Sequence, residues 1–301
     1  MTGTQRSLTD LGNGVREMDR KRVIVTGASR GLGVHIARGL AARGDDLLLV
    51  ARSETDLVRV AKELKTHETK VATAAVDLAG PRAAELIVAA AHAELGGVDV
   101  LINNAAVELQ RRFVKLETAE IERVIRVDLI TPIELSRLVL PRMLERGYGR
   151  IVNVSSLAGR TGFPFTEAYA ASKDGLIAFS RVLRNDYRDT GVSASAVILG
   201  AVKETGLGQR TLDETGVKAN TAFMVKPEKV VKAVLHAIDK DKAEIVVVPG
   251  PGRLMKALMD LFPGFGAAMN RVSGSEKLMG TVSDYREAEH ARHVSEDHLV
   301  G

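Results

Sequence analysis

Arg22-Val23-Ile24-Val25-Thr26-Gly27-Ala28-Ser29-Arg30-Gly31-Leu32-Gly33 is the stretch on which the reading of this chain turns. Its first five residues form a short apolar run of the kind that fills a buried strand, and from Val34 to Arg43 the pattern is helical. Between them stand three glycines, which let the backbone turn and approach another group without Cβ clashes. In a parallel sheet this is the carboxyl edge of a strand, where ligands bind. The following helix there directs free N–H groups and the positive end of its dipole at an anion. The ligand predicted from this arrangement is a dinucleotide, held through its pyrophosphate.

The same alternation continues outward. Strands are expected at Leu47 to Ala51, Val71 to Val76, Val98 to Asn103, Arg150 to Val154, Val192 to Ile198 and Glu244 to Val248. Helices are expected at Glu54 to Thr66, Pro81 to Leu95, Thr118 to Arg146, Tyr169 to Thr190 and Pro227 to Lys240. Seven strands separated by helices imply parallel pairing, because each crossover needs a helix to return to the same edge. The fold class is therefore α/β, a doubly wound parallel seven-stranded sheet with helices on both faces. The expected organisation is a flexible tail over 1–20, one α/β domain over 21–250 and a helical extension with a tail over 251–301.

Composition narrows the function classes. The 301 residues are 45% hydrophobic and 27% charged, an ordinary globular balance. No cysteine is present, which excludes disulfides, thiolate zinc sites and cysteine nucleophiles. No apolar run approaches the ~20 residues of a membrane span, and Met1 to Arg20 lacks the apolar stretch of a signal peptide, so a cytoplasmic location is expected. The net charge of +4 suits an anionic cofactor; with 4% aromatics and no basic run, nucleic acid is not expected as a partner.

Two stretches break the repeating unit. Gly200 to Val225, rich in Gly, Thr and polar residues, is longer than an ordinary connection and reads as a lid. From Arg253 to Asn270, Leu254, Met255, Ala257, Leu258, Met259, Leu261 and Phe262 make an apolar helical surface that Pro263 and Gly264 interrupt. That surface packs on the body or on a partner subunit, walls a substrate pocket, or rests on a membrane surface through 254–262. Ser283 to Gly301 is charged and expected to fray.

The chemistry rests first on Tyr169 and Lys173. On a helix, positions i and i+4 share a face, so the ammonium can sit beside the phenol and pull its pKa toward neutrality, making it a proton donor and acceptor. Ser155 and Ser156 end a strand at the nucleotide edge. No histidine is placed to activate either as a nucleophile: His35, His67 and His92 fall in helical or polar surface patterns.

The spacing of Gly27, Gly31 and Gly33, Asn103-Asn104-Ala105-Ala106, Ile151-Val152-Asn153-Val154-Ser155-Ser156, and the Tyr169/Lys173 pair thirteen residues after Ser156 occur in one order. Over about 20 to 250 the chain resembles the short-chain dehydrogenase/reductase family. The resemblance implies a Rossmann-like fold with Tyr169 as acid/base. Lys173 would hold the nicotinamide ribose and lower the tyrosine pKa, and Ser156 would bond the substrate oxygen. It implies cofactor contacts at Gly27, Ser29, Arg30, Gly31, Leu32, Gly33, Asn103 and Ala105, and adenine contacts at Asp77 and Leu78. Gly200 and Val202 would contribute backbone groups, while Thr205 stands one residue later than the family's usual threonine. The family's catalytic asparagine, twenty-five residues after Asn103, is here Asp128, beside Arg126. A carboxylate only accepts hydrogen bonds when ionised, so this position departs from the pattern.

Charge selects the cofactor. Ala51 stands where an NAD-selective enzyme carries an acidic residue, Arg52 follows, and Arg30 lies in the glycine loop; two guanidiniums and no carboxylate favour a 2′-phosphate. NADP(H) is expected, with NAD(H) the lesser choice, and no metal is required. The reaction expected is reduction of a ketone, or its reverse, on an apolar small-molecule substrate. Phe163, Pro164, Phe165, Leu207 and Phe223 are expected along the pocket, and a homo-oligomer, dimer or tetramer, is expected as the assembly. The alternatives are a cofactor-binding sensor or scaffold with weak or no catalysis, and a reductase of lipids attached to a membrane surface.

Overall fold

Buried aliphatic runs form the strands, and their two-residue period sorts the side chains to opposite faces of one sheet. A computed structural model describes residues 20–65, 69–218 and 224–300, without the side chains of 253, 263 and 293–300. The elements in chain order begin β1 (Arg22–Thr26), α1 (Leu32–Arg43), β2 (Asp46–Ala51), α2 (Glu54–Leu64), β3 (Val71–Ala75), α3 (Ala83–Leu95) and β4 (Val100–Asn103). After β4 come α4 (Thr118–Ile125), a five-residue π turn (Arg126–Ile130), α5 (Thr131–Arg146), β5 (Gly149–Ser156), the short α6 (Ala158–Thr161) and α7 (Glu167–Asp186). The chain closes with β6 (Val192–Leu199), α8 (Gly206–Thr215), α9 (Pro227–Lys240), β7 (Glu244–Val247), α10 (Gly252–Leu261), α11 (Pro263–Val272) and α12 (Ser275–Val300).

The seven strands lie in the order β3-β2-β1-β4-β5-β6-β7, every pair parallel. On one face Val23, Val25, Leu47 and Leu49 pack with Leu40 of α1, Val60 of α2 and Val234 of α9. On the other, Ile24, Leu48, Leu101 and Ile151 pack with Ile87 of α3 and with Leu135 and Met143 of α5. Truncating one of these fully buried leucines to alanine costs about 2–5 kcal/mol.

The order reverses between β1 and β4, and there the two loops after the strands lie side by side. Thr26 joins them: its hydroxyl donates to the Ile102 carbonyl (3.3 Å) and accepts from the N–H groups of Asn104 (3.0 Å) and Ala105 (3.1 Å). The Asn104 amide returns a bond to the Thr26 carbonyl (2.9 Å).

Three sequence expectations change. The single helix from Thr118 to Arg146 is two α-helices joined by the π turn. Pro132 has no N–H to give the Asp128 carbonyl, so the ordinary i to i+4 ladder cannot pass through this point. The stretch from Gly200 contains helix α8. The stretch from Ser283, expected to fray, continues α12 to Val300, with Val282 and Ser283 buried where it meets the body. Residues 1–19 of the tail expected over 1–20 lie outside the described residues, as do His67 and Phe223.

Helices α10 and α11 turn two faces outward and inward. Met259 is buried, whereas Leu254, Leu261, Phe262, Phe265 and Val272 are exposed. Asn270 anchors α11 by donating to the carbonyls of Thr161 (2.9 Å) and Gly162 (3.2 Å). Gly266 passes so close to Thr161 that a Cβ would lie 2.7 Å from its Cα. Among the described residues no helix is long and apolar enough to cross a membrane.

Candidate active site

The carboxyl edge of the sheet opens into one cavity of about 1450 Å³, and nearly all of the residues singled out in the sequence line it. Gly27, Ser29, Arg30, Gly31, Leu32 and Gly33 form one wall, with Arg52, Asp77, Leu78 and Ala105 beyond them. Ser156, Tyr169 and Lys173 stand at its centre, and Gly200 and Val202 close the far side of the sheet edge. Val202 is fixed there by a parallel bridge to Val225.

The glycine wall has the features that a dinucleotide needs. Helix α1 starts at Gly31, in a conformation with φ 61°, with no side-chain cap on its first turn. Val34 N–H turns back to the Gly31 carbonyl (3.2 Å), and the N–H groups ahead of it are left to meet an anion. A Cβ on Gly33 would lie 2.1 Å from the Gly27 carbonyl oxygen, so only glycine permits this packing of helix on loop. Arg30 and Arg52 are exposed on the cavity rim, and among the described residues neither lies within 4.0 Å of a carboxylate. Asp77 accepts from the Ala79 N–H (3.0 Å) and pairs with Arg123 (3.0 Å). These contacts, with the Arg52 charge nearby, hold its carboxyl below the usual range even against partial burial. The residues present therefore fit a nucleotide with an additional phosphate on its ribose.

At the centre the two serines separate into different tasks. The Ser155 hydroxyl is buried and donates to the Lys173 carbonyl (2.7 Å), tying β5 to α7. Ser156 faces the cavity, which Tyr169 also lines, and accepts from the Ala158 N–H (3.1 Å).

Lys173 is 2% exposed. Its ammonium donates to the Val154 carbonyl (3.3 Å) and lies 3.4 Å from Asp128 and 5.5 Å from the Tyr169 ring centre. Asp128, in the π turn, is fully buried, and its other carboxylate oxygen accepts from the Val107 N–H (2.8 Å). Burial raises its pKa to about 6, with Lys173 and the Val107 N–H acting in the opposite direction. Asp128 is thus the counter-ion of Lys173. It is not an ordinary surface aspartate beside Arg126, which pairs with Glu134 (2.9 Å).

The family-model match covers residues 21–216 and is described as short chain dehydrogenase. The chain belongs to the short-chain dehydrogenase family. It is 38% identical over 231 residues to a ketoacyl reductase, HetN, of Nostoc sp., covering 77% of this chain and 79% of that protein. It is 29% identical over 232 residues to the 3-oxoacyl-[acyl-carrier-protein] reductase FabG of Vibrio cholerae, covering 76% and 93%. A solved metagenomic short-chain oxidoreductase in complex with NADP superposes with a TM-score of 0.64 at 30% identity, over 76% of this chain and 97% of that one. A short-chain dehydrogenase from Streptomyces avermitilis gives 0.68 at 25% identity, over 84% and 97%. Membership makes the protein a nicotinamide-dependent oxidoreductase of the alcohol and carbonyl class.

Several expectations for this short-chain dehydrogenase need correction. Tyr169 is not drawn toward neutrality. Burial pushes its pKa above the ordinary tyrosine value, the carboxyls of Glu108 and Asp128 add to the rise, and the Ser156 hydroxyl opposes it only in part. The Asn103 side chain does not reach the cavity. It is 2% exposed and donates to Asn153 (2.8 Å), which in turn donates to Ser180 (2.8 Å); the neighbour Asn104 lines the cavity instead. Phe163 and Leu207 line the cavity, whereas Pro164 and Phe165 do not.

A substrate-pocket wall was one of the roles expected of the Leu254 to Phe262 surface, and Met255 and Met259 take it in a distal chamber; the share of α12 and the loop after β4 were not foreseen. Met255 and Met259 of α10, Met269 of α11, and Leu278, Met279 and Val282 of α12 line the chamber. Met255 and Met259 stand at i and i+4, a spacing that could have identified an inward face. Glu108, Gln110 and Arg210 also line the cavity and belong to no motif.

Proposed function

We propose that this enzyme uses NADP(H) to reduce a ketone to a secondary alcohol on a substrate with a long apolar portion. The observation that carries the reading is one continuous cavity. It joins the glycine loop with Arg30 and Arg52 at one end, Ser156 and Tyr169 at the middle, and a methionine-lined chamber at the other. NADPH, when bound, supplies the hydride.

The chain's own residues do the rest. Ser156 orients the carbonyl oxygen, and Tyr169, kept protonated by its surroundings, donates the proton to that oxygen. Lys173, held by Asp128 and Val154, presents the nearby positive charge that stabilises the tyrosinate left behind and reaches the nicotinamide ribose. Arg30 and Arg52 take the 2′-phosphate, Asp77 and Leu78 flank the adenine, and the N-terminus of α1 takes the pyrophosphate. The ketoacyl reductases among the relatives and the NADP-bound neighbour support the reaction and the cofactor.

Tyr169→Phe tests the assignment. NADPH-linked ketone turnover should fall at least about a hundredfold, with NADPH affinity within a few-fold of wild type by fluorescence titration. Retained turnover would overturn the role of Tyr169.

A further inference from the structure

Glu108 is a carboxyl in the substrate cavity that the acid/base chemistry does not use. It stands on the loop after β4, within electrostatic reach of Tyr169, Asp128, Lys173 and Arg210. Among the described residues no Lys, Arg or His nitrogen lies within 4.0 Å of its carboxylate. It lines the cavity beside Gln110, whose side chain offsets part of the effect of burial on its carboxyl.

Gln110 is itself fixed. Its side-chain carbonyl accepts from the hydroxyl of Thr211 on α8 (2.9 Å), and both residues are 6% exposed. With that oxygen engaged, the amide N–H groups of Gln110 are left to face Glu108. A carboxyl on the wall of a substrate cavity, with a fixed amide beside it and no cation within 4.0 Å among the described residues, has a costly desolvation to offset, and a polar group of the substrate can offset it.

The geometry points to Glu108 as a specificity subsite for a hydroxyl carried by the substrate within one or two carbons of the reacting carbonyl. The substrate class is then an amphiphile, a hydroxy ketone at its polar end with an apolar tail in the methionine-lined chamber. This inference rests on the ketone-reductase reading above. Burial and Asp128 raise the Glu108 pKa to about 7, so both protonation states are present near neutrality. A hydroxyl, donor and acceptor at once, pairs with either.

The experiment compares two ketones of equal chain length, a long-chain methyl ketone and the corresponding hydroxymethyl ketone, by kcat/KM with NADPH. The ratio between them is taken for wild type, Glu108→Leu and Glu108→Gln, so that the intrinsic reactivity of each ketone cancels. In Glu108→Leu the ratio of hydroxymethyl to methyl ketone should drop roughly tenfold or more, the loss expected when a buried hydrogen bond goes unmade. Glu108→Gln, which still donates and accepts, should keep the ratio within a few-fold of wild type.

Gln110→Leu leaves the carboxyl but removes the fixed amide beside it, and it should lower the ratio in the same direction; it replaces Glu108→Leu if that variant does not fold. An unchanged ratio in whichever of the two variants folds overturns the subsite. Turnover of neither ketone by wild type overturns the reductase reading, and the subsite with it, whereas turnover of both with an unchanged ratio in the variant overturns the subsite alone.

Discussion

The two ends of the cavity are built by different means. The nucleotide end comes from consecutive residues at the edges of adjacent strands, where Gly31 and Gly33, an uncapped helix start and Thr26 bring two loops together through backbone contacts. The substrate end is assembled from α6, α8, α10, α11 and α12 and the loop after β4, with side chains such as Thr211 with Gln110 and Asn270 with Thr161 touching across 101 and 109 residues. Backbone proximity tolerates almost no variation in sequence, and side-chain walls tolerate much. The first end should therefore break under small changes that the second would absorb.

The largest effect expected from that contrast is at Gly33. A single methyl there would meet the Gly27 carbonyl oxygen at 2.1 Å and the Asn104 amide at 2.9 Å, so α1 or the loop must move. Gly33→Ala should cost about 1–3 kcal/mol in stability by urea unfolding and abolish measurable NADPH binding. Normal binding by this variant would mean that the nucleotide end is not rigid.

Next comes charge at the same end. Replacing Arg30 and Arg52 together by alanine should weaken NADPH binding about ten- to a hundredfold, since each guanidinium offers charge-assisted bonds to a phosphate. NADH binding should change by less than about threefold. Equal losses, measured by parallel titrations, would refute the phosphate assignment.

The smallest effect is at the substrate end. Glu108 has a pKa raised from 4.5 to about 7 in the fold, so the folded state binds the proton more tightly than the unfolded chain. Its contribution to stability is complete below pH 4.5 and is lost as pH rises through 7. Glu108→Gln cannot titrate, so its Tm relative to wild type should be higher at pH 8 than at pH 4.5, a difference readable by thermal scans at the two pH values. A Tm offset independent of pH would show that the carboxyl is not desolvated.

The same contrast explains what could be read in the sequence. The sheet, its parallel order and the glycine wall follow from strand period, helix period and three glycines. The positions of Ser156, Tyr169 and Lys173 follow from spacing along one strand and one helix. The partner of Lys173 was not legible, because it depends on a π turn that Pro132 forces and that carries Asp128 inward. The raised pKa of Tyr169 was not legible either, since its causes include Glu108, which is far from it in sequence and belongs to no motif. Asn103 misled because the motif marks a backbone crossing, where the first asparagine staples β4 to β5 and the second reaches the cavity.

The account rests on one cavity serving both cofactor and a long apolar ketone. It is tested most directly by steady-state oxidation of NADPH and NADH by wild-type enzyme over a series of ketones of increasing chain length. The account predicts kcat/KM rising with chain length until the methionine-lined chamber is filled, and NADPH strongly preferred over NADH. Turnover independent of chain length, a preference for NADH, or no oxidation with any ketone would contradict it.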